Sequence, residues 1–449
     1  MLHMLRSMLG DKAFFSAITS YFTKNAYFSA VSRDLWKHLE QPARERGVLD
    51  GDSTIQSMME IWVNNSGFPE INVIRDYESN SVTLYQFRFG WLWEPNDTEE
   101  AAMTWPLWVS YHSPALIGSN GGKLLPAVRS QQLNLPGSLA GKPIVINKEA
   151  GSYFRVRYDA RSLCKLAKLL RDNHTRMAVV ERAQILEDMT PLSMPNPECK
   201  PCGIAGWAHM MEYLKKERNF IPWRIALTKF EMLHRTLSGQ ITQQKFYDWM
   251  VSLTHPYFVE HGFKMDNEKT EEEKWLKRDM FEFACLKIST NLHSPCVREA
   301  FSQFRGWMAV SSNSTLNPIS PYLRQHVYKT VLKYSRSEKE VDFILRKYEE
   351  AKKLRFRYLE HFNQLEAAYL EFVVDKRPKQ ASLARSLAGH DHSMDTICSI
   401  VMNNQIDVKD ADTGIKVIQD CWYKMRKSQG TKVVERIHCR KFILYKKGK

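Results

Sequence analysis

Apolar positions change period twice along this chain. In the first segment Phe14, Ile18, Tyr21 and Phe22 fall at helical spacing, and Leu35, Trp36 and Leu39 resume it after a connection over 25–32. A further helix is predicted from Ser53, a serviceable N-cap, to Trp62, with Gly67 and Pro69 breaking it. Beyond the break the pattern alternates. I-N-V-I-R at 71–75, V-T-L-Y-Q-F-R-F at 82–89, W-P-L-W-V-S-Y at 105–111, P-I-V-I-N at 143–147 and Y-F-R-V-R-Y at 153–158 each read as a strand. Gly, Pro and Asn punctuate them, and G-S-N-G-G at 118–122 reads as a turn between strands. The prediction is a small antiparallel β-sandwich.

From Ala160 the helical period returns and persists. Met177, Val180, Ile185 and Met189 form one stripe, and Trp223, Leu227, Phe230 and Leu233 another. Serial helices separated by polar or Pro-containing connections fit a superhelix of stacked helical pairs, although no strict repeat is present. Dense runs of both charges at 264–277 and 335–357 read as solvated helix faces or connections. The predicted organisation is multidomain: a helical segment over 1–66, a sandwich over 67–159, a large all-α superhelical domain over 160–423 and a basic tail over 424–449.

Composition narrows this picture without naming a chemistry. A chain of 449 residues with 43% hydrophobic content can bury a substantial core and divide into two or three domains. No apolar run approaches the roughly 18 residues of a membrane span, and the first ten residues lack the pattern of a signal peptide. The formal charge is +14, but ten Lys or Arg and one Glu lie between Lys424 and Lys449, so the body is only mildly basic. The tail interleaves aromatics with lysine but carries no recognised binding module, so nucleic acid is not an expected partner.

Candidate chemistry is sparse. None of the fourteen histidines begins H-E-x-x-H, the spacing that puts two zinc ligands and a general base on one helix face. His390 and His392 would point to different faces, and His255 and His261 straddle Pro256; surface connections are the expectation for both pairs. Cys199 and Cys202 form C-K-P-C, yet their flanks are loop-like, with neither the strand-then-helix context of a redox pair nor a second C-x-x-C for zinc. Cys285 and Cys296 flank a short interhelical connection, where either a local disulfide or two buried thiols would fit. No G-x-S-x-G elbow or phosphate loop is present. Sequons begin at Asn64, Asn96, Asn173 and Asn313, against about two expected by chance at this length.

Several strings nevertheless resemble one family, in order. L-H-M-L-R-S-M-L-G-D-K-A-F-F-S-A-I-T-S-Y-F and N-A-Y-F-S-A-V-S-R-D-L-W-K-H-L-E are similar to the end of the catalytic domain in aminopeptidase N-like zinc metallopeptidases, whose relatives include puromycin-sensitive and endoplasmic-reticulum aminopeptidases. W-V-N-N-S-G-F-P-E-I-N-V resembles the family's entry into its sandwich, and G-S-Y-F-R-V-R-Y-D its exit. R-A-Q-I-L-E-D, Y-L-K-K-E-R-N-F-I-P-W-R-I-A-L, C-V-R-E-A-F-S-Q-F-R-G-W-M, N-P-I-S-P-Y-L-R-Q-H-V-Y and I-D-V-K-D-A-D continue the resemblance to about Ile415.

The resemblance implies a remnant of a thermolysin-like domain, a sandwich, and a superhelical domain that closes over the active site and shapes the peptide pocket. In the whole enzymes zinc polarises the scissile carbonyl and activates water, with a glutamate as base. The family's H-E-x-x-H, distal Glu ligand, G-x-M-E-N loop and catalytic Tyr all lie upstream of the position matching Met1. The resemblance therefore assigns this chain no catalytic residue and no metal ligand, and implies an inactive chain when alone. Its compartment stays open among membrane-anchored, lumenal, secreted and cytoplasmic settings. A local disulfide is implied for Cys285 and Cys296, at a spacing longer than the family's usual one, whereas Lys329 stands where a further cysteine often occurs. The stretch 352–380 reads as inserted. Expected partners are peptides in the whole enzyme, with self-association or partner binding through an exposed helical face carrying Phe14, Phe15, Ile18 and Trp36. The alternative is a free-standing peptide- or protein-binding scaffold derived from such an enzyme.

Overall fold

The computed structural model describes residues 1–89, 103–189, 204–237, 243–266, 268–289, 292–310, 317–353 and 364. They divide into two compact units, Met1–Tyr257 and Phe258–Lys449.

The first unit opens with four helices, α1 (Leu2–Leu9), α2 (Asp11–Lys24), α3 (Ser32–Glu45) and α4 (Ile55–Asn64). Thr54, not Ser53, caps α4: its hydroxyl accepts from Ser57 N at 3.0 Å, and Ser57 Oγ accepts from Thr54 N at 3.2 Å. Such a reciprocal cap satisfies two backbone donors that the first turn leaves open. Trp62, in the last turn of α4, sits inside the core and donates through its indole N–H to Pro106 O at 2.9 Å.

Among the described residues seven strands follow: β1 (Pro69–Asp76), β2 (Ser81–Arg88), β3 (Leu107–His112), β4 (Gly121–Leu125), β5 (Ser130–Asn134), β6 (Val145–Ile146) and β7 (Arg155–Tyr158). They form one sheet in the order β5-β2-β1-β7 and another in the order β4-β3-β6. Ile71, Val73, Val82 and Leu84 of the first sheet share a buried cluster with Leu107, Val109, Leu125 and Ile146 of the second. That is a sandwich core, and Met4, Leu5, Trp36, Ile55 and Trp62 of the preceding helices belong to the same cluster.

The expected antiparallel sandwich differs in one pair. β1 and β7 run parallel, with Ile71 opposite Val156, as the long intervening connection permits. Two strands, β4 and β5, lie where none was predicted, β4 starting on the last two residues of the stretch read as a glycine turn. Its glycines serve close approach: a Cβ on Gly121 would sit 2.4 Å from the Tyr111 ring, and one on Gly122 2.5 Å from the Trp108 ring. Gln86 of β2 reaches the chain entering β3, accepting from Trp105 N at 2.5 Å and donating to Trp105 O at 3.0 Å.

Asp159 starts the helical part. It caps α5 (Ala160–Asn173) by accepting from Ser162 N at 2.8 Å, and its other oxygen accepts from Arg75 N in β1 at 3.1 Å. After it come α6 (Val179–Asp188), α7 (Ile204–Met211), α8 (Phe220–Leu237) and α9 (Gln243–His261), the last containing the division at Tyr257. The stripe of Trp223, Leu227, Phe230 and Leu233 is buried throughout, whereas Val180 of the other predicted stripe is exposed.

In the second unit α10 (Glu271–Glu282) leads into a π-helical segment, Phe283–Ile288, then α11 (Pro295–Ala309), α12 (Pro321–Tyr334) and α13 (Glu338–Lys353). Phe304, Trp307, Tyr328 and Phe343 form its aromatic core, with Trp307 stacked on Tyr328 at 5.1 Å. Not all of the charged run 264–277 is solvated. Lys277 is fully buried, pairs with Glu268 at 2.8 Å and donates to His261 O at 2.6 Å, because a long cation tolerates burial when its protons are taken up. Glu340 and Lys347 of the second run are buried as well.

Candidate functional site

The N-terminal helices carry one surface that the core does not absorb. Phe14 and Trp36, expected on an exposed face, are buried, because α2 and α3 turn them into the cluster shared with the sheets. Phe15 and Phe22 lie seven residues apart on α2, on one solvent-facing stripe, and are 50% and 66% exposed. The connection that follows adds Tyr27, Phe28 and Val31, all exposed, with Tyr27 at a φ of 65°. A bulky residue in that left-handed region is an outlier worth noting. Arg6 is bonded to Asp11 at 2.8 Å and lies over the Phe15 ring at 5.3 Å. Phe15, Phe22, Tyr27, Phe28 and Val31 together leave an apolar stretch of α2 and its following connection exposed. Phe22 falls at helical spacing with buried Phe14, yet faces outward. The adjacent Tyr27 and Phe28, in a connection with no helical period, are the sequence signal for an exposed apolar stretch here.

A second cluster joins the sandwich to the helices within the first unit. His112, at the end of β3, lies 2.7 Å through Nε2 from Glu181 Oε1. The same carboxylate accepts from Glu149 N at 3.2 Å and from Ala178 N at 3.1 Å. Burial pushes Glu181 up, but the bonds from His112 and the two amides outweigh it and hold the carboxyl below its ordinary range. One helical turn along from Gln184, Asp188 accepts from Val156 N in β7 at 3.0 Å, and burial raises its carboxyl to about 7. Arg182, on the same helix, forms a buried fork with Glu217: Nε to Oε2 at 2.7 Å and Nη2 to Oε1 at 3.1 Å. These groups are saturated by one another, the signature of a positioned joint rather than a reacting centre.

The candidate residues are scattered. Asn64 ends α4 and Asn173 ends α5, both exposed, and the Thr175 hydroxyl donates to Asn173 Oδ1 at 2.6 Å. Cys285, in the π-helical segment, is disulfide-bonded to Cys296 in the first turn of α11. Cys164 is also disulfide-bonded. His255 and His261 stand in helix α9 rather than in a connection, since Pro256 is accommodated inside it. Asn96, Asn313, Cys199, Cys202, His390, His392 and the basic tail lie outside the described residues. Among the described residues no group of three or more His, Cys, Asp or Glu converges as a metal site. These residues do not fit a resident zinc. Among the same residues no helix is long and apolar enough to cross a membrane.

Comparison with known proteins gives these surfaces a context. The peptidase family M1 domain matches residues 1–62, and the ERAP1-like C-terminal domain matches residues 143–379. The second match begins at the last strands of the sandwich, takes in 352–379 of the stretch read as inserted, and stops short of Ile415. Aminopeptidase N of Plutella xylostella is 26% identical over 282 residues, covering 61% of this chain and 28% of the relative. Human aminopeptidase N is 23% identical over 354 residues, 76% of this chain and 34% of the relative. The mouse thyrotropin-releasing hormone-degrading ectoenzyme is 24% identical over 345 residues, 74% and 31% respectively. The chain thus spans about a third of the length of these relatives. With more than half of it matched by one domain family, the chain belongs to the ERAP1-like C-terminal domain family of aminopeptidase N-like M1 peptidases.

Proposed function

We propose that this chain is the C-terminal part of a zinc aminopeptidase that removes N-terminal residues from peptides, with the superhelical domain shaping the peptide pocket. The observation that carries the reading is the order of the two family matches, the M1 domain at 1–62 and the ERAP1-like domain at 143–379. Zinc would supply carbonyl polarisation and an activated water in such an enzyme, and no residue of this chain is assigned a share in that chemistry. Its own contribution is structural. The exposed aromatic surface at Phe15, Phe22, Tyr27 and Phe28 packs against the remainder of the M1 domain, the one occupant for which the 1–62 match provides. The joint built on Glu181 and Asp188 holds the sandwich to the helices that follow it.

Assay of the isolated chain against aminoacyl-arylamides tests this. The expected result is no turnover, with or without added zinc, and binding of a hydrophobic dye to the uncovered aromatic surface. Turnover that rises with zinc would overturn the reading. A dye-silent, monodisperse monomer would favour the free-standing scaffold instead.

A further inference from the structure

A cleft of about 800 Å³ opens in the second unit between α11 and the junction of α12 with α13. Arg298, Ser302 and Arg305 reach it from α11, at positions four and seven along the helix and hence on one face. Arg336, in the α12–α13 connection, lines it as well, as does Glu340 from the first turn of α13.

Three guanidinium groups against one carboxylate leave a surplus of two positive charges. The carboxylate is already engaged. Glu340 is buried, accepts from Arg305 Nε at 3.1 Å through one oxygen and from the Ser335 hydroxyl at 2.5 Å through the other. Arg305 also lies over the Phe301 ring at 5.4 Å, so it is held in place by its Nε bond and that ring, with its terminal amines beyond the bond. The side chains of Arg298 and Arg336 take part in no hydrogen bond or ion pair among the described residues. The rest of the lining is Ser337 together with Leu292, Phe301 and Tyr334, whose hydroxyl is occupied in donating to Ser289 O at 2.5 Å.

We infer that this cleft binds a small phosphate monoester carried on an aromatic or similarly flat apolar body. Guanidinium forks match the oxygens of phosphate with paired hydrogen bonds. Near neutral pH a phosphate monoester carries close to two negative charges, matching the surplus, whereas a carboxylate carries one. Phe301 and Leu292 receive the body of the ligand, and the volume lies in the range of small-molecule clefts, about 300–1,000 Å³.

The test is calorimetric titration of the whole chain with phenyl phosphate, inorganic phosphate and benzoate. Saturable one-to-one binding of phenyl phosphate is expected, at least tenfold tighter than either of the others. Arg298→Ala combined with Arg336→Ala should weaken it at least tenfold, while Arg33→Ala, which removes an exposed arginine on α3, leaves it unchanged. Both cleft arginines are exposed, so the variant should keep the wild-type circular dichroism, and the three-ligand comparison on the unmodified chain needs no variant. Absence of saturable binding overturns the inference, as does undiminished affinity in the double variant. Equal affinity for inorganic phosphate removes the apolar half, and equal affinity for benzoate removes the preference for a dianion.

Discussion

His112 Nε2 and Glu181 Oε1 stand 2.7 Å apart across 69 residues of sequence, tying the end of strand β3 to the first turn of helix α6. The carboxylate also caps Ala178 N, so one side chain serves a helix start and an inter-element bond together.

Glu181→Ala should destabilise the chain by about 1–3 kcal/mol, since it removes the buried carboxylate that accepts from His112, Ala178 and Glu149. A double-mutant cycle with His112→Ala, read by urea denaturation, should give a coupling of about 1 kcal/mol or more. Additive losses would mean that the pair is not a unit. Because the folded carboxyl is held below its ordinary range, its contribution is present above the unfolded value and fades as pH falls through the folded one.

Arg182→Ala should cost about 3–5 kcal/mol, because it leaves the Glu217 charge buried without its partner. Replacing both, Arg182→Met with Glu217→Leu, should recover only part. Glu217 also accepts from the backbone N–H of Arg218 and Asn219, each at 3.0 Å.

Asp188 has the opposite sign. Its folded value of about 7 exceeds the unfolded one, so the folded state holds a proton that the unfolded state has released. Stability should therefore fall as pH rises from about 4 to 7. Asp188→Asn keeps an acceptor for Val156 N and should flatten that slope, by about 1–3 kcal/mol over the interval. Thermal unfolding at successive pH values reads this directly, and parallel profiles for the two proteins would refute it.

Cys285→Ala with Cys296→Ala should lower stability by about 2–3 kcal/mol through the entropy of opening a short loop. Calorimetry in non-reducing buffer, where Cys164 keeps its own disulfide, isolates the effect. An unchanged Tm would show that the elbow between the π-helical segment and α11 is held by packing alone.

Helices with one sided stripes were legible because burial and period agree, as at Trp223, Leu227, Phe230 and Leu233. β4 and β5 were not, for a shared reason. Each is an edge strand, G-G-K-L-L and S-Q-Q-L-N, with only one neighbour and little apolar alternation to show. Lys277 looked solvated within a run of charge, yet its partner Glu268 makes burial tolerable, and charge composition carries no record of pairing. The joint at Glu181 was invisible for the same reason, since His112 lies 69 residues away in another element. Phe22 shares helical spacing with buried Phe14, so its outward direction shows only in the fold.

The central claim is that this chain completes an aminopeptidase whose catalytic motif is encoded with it. Reading the full-length transcript tests that most directly. An in-frame H-E-x-x-H upstream of the codon for Met1 is the predicted result, and a stop codon in that frame with no intervening M1 sequence would contradict it.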